Sequence, residues 1–592
     1  MRLHLTPAFA LSAIALAACS TNSAMPPTAA ANFPAMQQQT IPVSIPQGVP
    51  SERLGDVHFT VALPLRNQAE LDSEIAAISD PDSPQYRNFS SHEDFMTRFA
   101  PTVAARVAVA RELQAAGFRV SIADQAVMAG GTQRQVERYF HTSLNVTRTA
   151  ADSLAIPRTP IRLSPLLERS GATVIGLDGI PLLRHFSQSA PLPRPLPDRI
   201  TPDNFLGPYG PYFTVDLKQA YQYPSYTEAA GAGAVIGIVI DSPVSPADIA
   251  EYFKYQEMPQ PKVETEKING GGQLGGDGTF EATLDVEQSG GMAPKATIAV
   301  FDIPQLSDTD IYDGYTAVVK AKGVTVVNSS FGGCELAFKS ASGAKALKAF
   351  DSLFEEGLKQ GTTWVAASGD HAADMCGSAN NALGVSWPAV SPYVLGVGGT
   401  NLTTSYTKGS LNSTYVHEDA YADIKPSGAN YWGSAGGYSV VYARPKWQNG
   451  FVTKKGRGVP DVSVHMGGEG FSSGGTQCQA EKCGKDDSSD AERVGGKWTE
   501  AIGTSAASPD FVGLLADTAS LAKKPLGFVN QAFYVAAHKK KNYFFRSGIK
   551  GDNGYKTDSS LWDPVLGLGT PFGAHIAGAK ETAGMPTSSS NP

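Results

Sequence analysis

The stretch AIGTSAASPD, residues 501–510, presents a serine, Ser505, behind Gly-Thr and ahead of small residues. A serine hydroxyl is a poor nucleophile until a neighbouring base takes its proton. The usual base is a histidine oriented by a carboxylate, and in a subtilisin-like order Asp241 would supply that carboxylate. Between Asp241 and Ser505 the chain offers His371, His417 and His465. None stands in a His-Gly-Thr context opening a helix, and each reads as a surface or structural residue. Carboxylates are the other option. In FEATLDVEQSGGMAP, residues 280–294, Glu281 and Asp285 stand four apart. On a helix that spacing puts both on one face, one turn apart. Two carboxylates held so close do not both ionise easily, so the pair can take a serine's proton and hold it between them. Most such pairs are simply a solvated helix face, so the spacing acquires meaning only from its surroundings.

Those surroundings must position the groups. AVIGIVID (234–241), ATIAVFD (296–302), GVTVVNSS (323–330), TTWVAASGD (362–370) and YVLGVGGT (393–400) are short apolar runs ending in small or polar residues. Helical segments such as DGYTAVVKAKG and SGAKALKAFDSLFEEGLKQG lie between several of them. Buried strands alternating with helices predict an α/β domain with a parallel sheet. Sites in such sheets form at the carboxyl ends of the strands, where Asp241 and Asp370 fall. Residues 51–186 mix strand-like and helical stretches, HFTVALPL and NQAELDSEIAAISD among them, and predict a separate α+β unit. Residues 187–212, dense in Pro and Gly, read as an exposed linker open to proteolysis. Residues 19–50 read as a tether and 581–592 as a polar tail.

The amino terminus, MRLHLTPAFALSAIALAACS, has the charge, apolar run and small residues of an export signal. LAAC, ending at Cys19, resembles a bacterial lipobox, which predicts cleavage after residue 18 and lipidation of Cys19. A multiply acylated cysteine anchors well to a membrane. The expected location is therefore the periplasm or outer membrane, with a mature domain released outside. Four cysteines remain of the five in the chain. In an exported protein they predict two disulfides, a local Cys478–Cys483 bridge and Cys334–Cys376. A zinc site lacks a histidine at ligand spacing. The net charge of −8 and the want of a basic cluster argue against nucleic acid as a partner. A monomer is the default.

The motifs then converge. An ExxxDVE…AP run, SGD and GTSAASP, in that order on an α/β pattern, resemble the sedolisin family of serine-carboxyl peptidases, which includes kumamolisin. VNSSFGGCE, WPAVSPYVLGVGGT, GRGVPDVSV and WDPVLGLGTPFG are similar to family sequence too, as is residues 59–102 to the family's activation prodomain. The resemblance implies a subtilisin-like parallel sheet with helices on both faces, preceded by a ferredoxin-like prodomain. It implies Ser505 as nucleophile, Glu281 as general base, Asp285 as its orienting partner and Asp370 as a protonated donor in the oxyanion hole. With unperturbed carboxyl pKa values of ~3.9 and ~4.3, such a set works at about pH 3–5. It implies self-cleavage in the 187–212 linker once acid weakens the prodomain's ionic contacts, and peptide or protein substrates. An endopeptidase and a tripeptidyl exopeptidase both fit, as does an inactive binding protein on the same scaffold, although all four catalytic positions are filled. The family's late calcium site is matched only by Trp562 and Asp563, since Ser547 and Gly548 stand where an Asp-Ile pair is expected. Calcium needs several oxygens and compensating charge; Asp563 keeps one ligand and Asp552 or Asp558 could restore another, while Arg546 and Lys550 nearby could stand in for the ion.

Overall fold

The computed structural model describes residues 45–149, 152–192, 195–198, 210–377, 384–406, 412–420, 422–423, 432–468, 488–558 and 560–583. Cys19, Cys478, Cys483, the signal and most of the tether lie outside the described residues.

The amino-terminal unit is built on VHFTVA, Val57–Ala62, whose six residues are all buried. Period-two alternation explains how both faces are covered. Val57, Phe59 and Val61 face the unit's own core, where Phe59 meets Phe118 and Phe140 edge to face at 5.2 and 5.1 Å. His58 and Thr60 face the other way, onto Asp310 and Asp313 of the helix Asp308–Lys320 in the second unit. The strand pairs antiparallel with Ala126–Gly131 and Thr173–Ile175, and Arg119–Ile122 completes the sheet beyond Ala126–Gly131. With helices between the first and second strands and the third and fourth, this is the ferredoxin-like order expected.

The second unit is a sheet in which Lys262–Lys267, Thr297–Asp302, Val235–Ile240, Val326–Ser329, Thr363–Ala367, Leu395–Tyr406 and Val462–His465 run parallel, in that spatial order. Most of these are the buried apolar runs read from the sequence, and helices cover them. Two helices matter for the site, Asp277–Met292 and Thr504–Ala522. They pack so closely that a Cβ on Gly513 would lie 2.2 Å from that of Met292. The interior also holds an ion pair. The Lys218 ammonium donates to Asp517 Oδ2 and to the Met292 carbonyl, both at 2.5 Å. Cys334 and Cys376 form the expected disulfide.

The interface between the two units is ionic, and its groups respond to pH in opposite senses. Burial raises the Glu74 carboxyl, but Arg98 and Lys359 outweigh it and hold the group below its ordinary value. Its contact with Lys359, at 2.8 Å, therefore stabilises docking above the carboxylate range and is lost as pH falls through the lowered pKa. His58 behaves otherwise. Burial lowers it, yet Asp310, Asp152 and Asp313 carry it up to about 9, so its charge is lost only as pH rises through that value, while Asp313, raised to about 6, loses its own charge in acid. Asp178 and Asp308, hydrogen-bonded to each other across the interface, are both raised by burial and retain a proton between them in acid. Acid thus weakens the contact between Glu74 and Lys359 across the two units.

One expectation is corrected. Residues 188–191, read as linker, form a paired strand whose residues alternate between half-buried and exposed. Arg184–His185 pairs with Phe331–Cys334, and Gln188–Pro191 pairs antiparallel with Lys497–Ile502. Pro, Ser and Gln favour extended backbone in a linker and in a groove alike, and composition does not separate the two.

Candidate active site

Ser505 is the second residue of the helix Thr504–Ala522. The turn that delivers it requires Gly503, whose φ is 134° and whose added Cβ would lie 2.1 Å from the Phe186 carbonyl oxygen. The Ser505 hydroxyl donates to the Ser330 carbonyl at 3.1 Å, and its backbone N–H donates to the Phe186 carbonyl at 3.0 Å.

Glu281 and Asp285 sit on the facing helix, one turn apart as the spacing predicts, and both are wholly buried. Glu281 Oε2 accepts from the Ser187 hydroxyl, and its Oε1 has no hydrogen-bond partner among the described residues. Burial drives its carboxyl up to about 7, against the pull of His185 and Ser187. Asp285 is pushed well above the ordinary carboxylate range, first by burial and then by the charge of Glu281. Its Oδ1 accepts from the Ser330 hydroxyl at 2.5 Å. Asn328 in turn donates to Ser330 Oγ at 2.8 Å and accepts from Ser508 at 2.6 Å. The pair is thus a proton-holding dyad in a dry site, fixed by a chain of short polar side chains.

Asp370 is buried at the end of the strand Thr363–Ala367. Its Oδ1 accepts from the Thr504 N–H and hydroxyl, both at 2.8 Å. Burial outweighs these bonds and keeps the carboxyl protonated well above its usual range. Its Oδ2 has no hydrogen-bond partner among the described residues. That atom and the Phe186 carbonyl oxygen both lie within 3 Å of the point where a Gly503 Cβ would be. A neutral Asp370 and the Ser505 N–H are therefore two donors around one carbonyl position, which is what an acyl transfer needs for its oxyanion.

The structure brings together Ser505, Glu281, Asp285 and Asp370 as the sequence arranges them. Asp241 accompanies no triad histidine; its Oδ1 lies 2.7 Å from Nε2 of His185. His465 is buried, 3.4 Å from Asp490, and burial lowers its pKa to about 3. His417 sits at the surface, 3.0 Å from Asp419. His371 bridges to Gly433 through its backbone. The sequence reading missed Ser330, Asn328 and Thr504, which orient the acids, although VNSS at a strand end and GTS both contain them. It also missed residues 185–187, which carry no motif.

The residues around Asp563 do not fit a calcium ion. Asp563 Oδ1 accepts from the N–H groups of Val565 and Leu566, at 2.9 Å each. The Ser560 carbonyl accepts from Lys541 Nζ at 2.9 Å. Lys540, Lys541, Arg546 and Lys550 all line the cavity of about 640 Å³ there, against Asp558 and Asp563. Four cations against two carboxylates leave a hard dication no net negative charge in such a site.

Residues 50–163 match the family model "Pro-kumamolisin, activation domain", and residues 268–531 match "Subtilase family". Sedolisin of Pseudomonas sp. (strain 101) is 26% identical over 539 residues, covering 87% of this chain and 85% of its own. Kumamolisin of Bacillus sp. (strain MN-32) is 29% identical over 444 residues, 71% of each chain. Tripeptidyl-peptidases stand among the relatives as well. The crystal structure of Pseudomonas sedolisin, a serine-carboxyl proteinase complexed with two molecules of pseudo-iodotyrostatin, superposes with a TM-score of 0.52 at 26% identity. It covers 62% of this chain and 97% of that one. With a prodomain match, a peptidase match and a buried Ser-Glu-Asp set in one chain, the protein belongs to the sedolisin family of serine-carboxyl peptidases and carries that family's activation prodomain.

Proposed function

We propose that this chain is the precursor of an exported, acid-active endopeptidase that matures by cutting itself. Ser505 attacks the peptide carbonyl, Glu281 takes its proton, and Asp285 shares that proton. The Ser505 N–H and a neutral Asp370 hold the oxyanion. The observation that carries the reading is the convergence of Glu281 and Ser505 in a buried site whose remaining donors surround one carbonyl. Glu281 is raised to about 7 with the precursor's own segment lying over it. Departure of that segment admits water and brings the carboxyl back toward its ordinary value, which extends the activity of the mature form further into acid.

Endopeptidase action is favoured over tripeptidyl release by the path of that segment. Counting back from the Phe186 carbonyl, the chain continues beyond three residues, and the N–H of Leu183 donates to the Leu306 carbonyl at 2.9 Å. A tripeptidyl enzyme needs a groove closed at that point. Digestion of a long peptide by the acid-matured enzyme is expected to yield internal fragments of varied length. Successive tripeptides from the amino terminus would overturn the endopeptidase reading.

The export and lipid-anchor readings rest on the amino-terminal sequence. A lipid on Cys19 would sit on the prodomain side of the cut, so maturation would free the catalytic domain from the membrane. In place of calcium, we propose that Lys541 holds the 541–563 corner through the Ser560 carbonyl. Excess EDTA is then expected to leave the melting temperature unchanged, and Lys541→Ala to lower it by a few degrees, equivalent to about 1–2 kcal/mol for a lost charged hydrogen bond. A large drop on chelation, restored by calcium alone, would reverse the assignment.

A further inference from the structure

The segment from Arg184 to Pro191 lies across the site in the manner of a substrate. Its two halves pair with different strands, Phe331–Cys334 before the nucleophile and Lys497–Ile502 after it. Between them the Phe186 carbonyl accepts from the Ser505 N–H at 3.0 Å and shares its surroundings with the unpartnered Oδ2 of Asp370. The side chains on either side of that carbonyl are housed as well. The Phe186 ring is buried against Ala367, Met375 and Ala435. Gly332 forms another wall, since a Cβ there would come within 2.8 Å of the ring. His185 meets Asp241, and the Ser187 hydroxyl meets Glu281. A segment that only covers the groove has no need to set one carbonyl on the nucleophile's own N–H with a filled pocket beside it.

We propose that Phe186–Ser187 is the bond that this precursor cuts in itself, within a single chain. The proposal rests on the roles given above to Ser505 and Glu281. Ser505 Oγ bonds to the Phe186 carbonyl carbon while its proton passes to Glu281. The carbonyl oxygen becomes the oxyanion held by the Ser505 N–H and Asp370. The carbon–nitrogen bond then breaks, and the proton held by Glu281 and Asp285 goes to the Ser187 nitrogen, which leaves as a new amino terminus. Water next adds to the ester carbon and gives a proton to Glu281. That proton returns to Ser505 Oγ as the ester bond breaks and the Phe186 carboxyl departs. One water is consumed and one peptide bond is lost. The prodomain ends at Phe186, and the catalytic chain begins at Ser187 with Gln188–Pro191 still paired to Lys497–Ile502.

The test uses the full precursor, purified near neutral pH and brought to about pH 4 at protein concentrations spanning about 100-fold. Intact mass and amino-terminal sequencing are expected to place the first cut between residues 186 and 187, with a half-time independent of concentration. A first cut elsewhere, or a half-time that shortens in proportion to concentration, would overturn the proposal. Phe186→Asp sets a carboxyl in the apolar pocket and is expected to slow the cut by about 100-fold, whereas Phe186→Leu keeps most of the rate. Equal rates in the two variants, both shown to be folded by their melting curves, would also overturn it. The same samples are assayed on an unfolded protein. Glu281-dependent hydrolysis with a first cut elsewhere defeats this proposal alone, and absence of both reactions defeats the proposed function with it.

Discussion

Glu281→Gln is expected to lower kcat on an unfolded protein by about 10⁴-fold across pH ~3 to ~7, a loss of ~5 kcal/mol of transition-state stabilisation. The amide matches the carboxyl in shape and still accepts a hydrogen bond, so folding and substrate binding persist. It accepts no proton at any pH in this range. KM is therefore expected to change by less than about threefold, because the interaction lost is one made as the proton moves. The precursor variant is expected to remain uncut in acid for the same reason. Since Glu281 is wholly buried and raised to about 7 under the covering segment, the amide also removes a group whose ionisation is unfavourable there, so the variant's melting temperature at neutral pH should not fall. Activity that survives the substitution would move the base to a histidine and end the serine-carboxyl reading.

Asp370 supplies the second large effect, and its sign with pH is specific. Burial keeps its carboxyl neutral well above the usual range, opposed by the two bonds from Thr504. The neutral form donates to the oxyanion. As pH rises through the raised pKa, the donor becomes a second negative charge facing the developing one, and the rate falls. Asp370→Ala removes the donor and is expected to cost 10²–10³-fold in kcat at every pH, the order seen for loss of one oxyanion-hole donor. Asp370→Asn keeps a donor that does not titrate. It is expected to retain more activity than alanine and to shift the alkaline limb of the pH–kcat profile upward. An unchanged alkaline limb in the asparagine variant would show that the limb belongs to another group, and the oxyanion role of Asp370 would fail with it.

The two effects separate the carboxyls by task, although all three are buried and raised. Glu281 must lose its proton to work, and Asp370 must keep it. Their surroundings impose the difference. The charge of His185 and the hydroxyl of Ser187 favour the ionised form of Glu281. Asp370 is raised by burial and by the charge of Glu281, and its Oδ2, without a partner among the described residues, lies beside the Phe186 carbonyl.

How much of this was legible before folding depends on the range of each signal. The parallel sheet was legible because a strand buried on both faces is a continuous apolar run, a property of the chain itself. The pairing of Glu281 with Asp285 was legible for a similar reason, since helical geometry fixes the distance between residues four apart. Order of motifs along the chain identified Ser505 and Asp370. The dual burial of Val57–Ala62 was only half visible, because His58 and Thr60 look solvent-facing until Asp310 and Asp313 arrive 250 residues later. Ser330 and Asn328 were quoted as sequence yet had no assigned role, because a small polar residue at a strand end has many uses.

The sequence by itself determined the fold class and the two-unit plan, and singled out Ser505, Glu281, Asp285 and Asp370 as candidates, since those rest on local periodicity and motif order. Only the tertiary structure decided the protonation states, because a pKa depends on burial and on charges brought in from distant elements. It alone decided that residues 184–191 lie in the groove, because extended backbone is held there by strands from elsewhere in the chain and leaves no period of its own. It likewise set Lys541 against the Ser560 carbonyl, since residues nineteen apart meet only when the helix and the loop between them have packed.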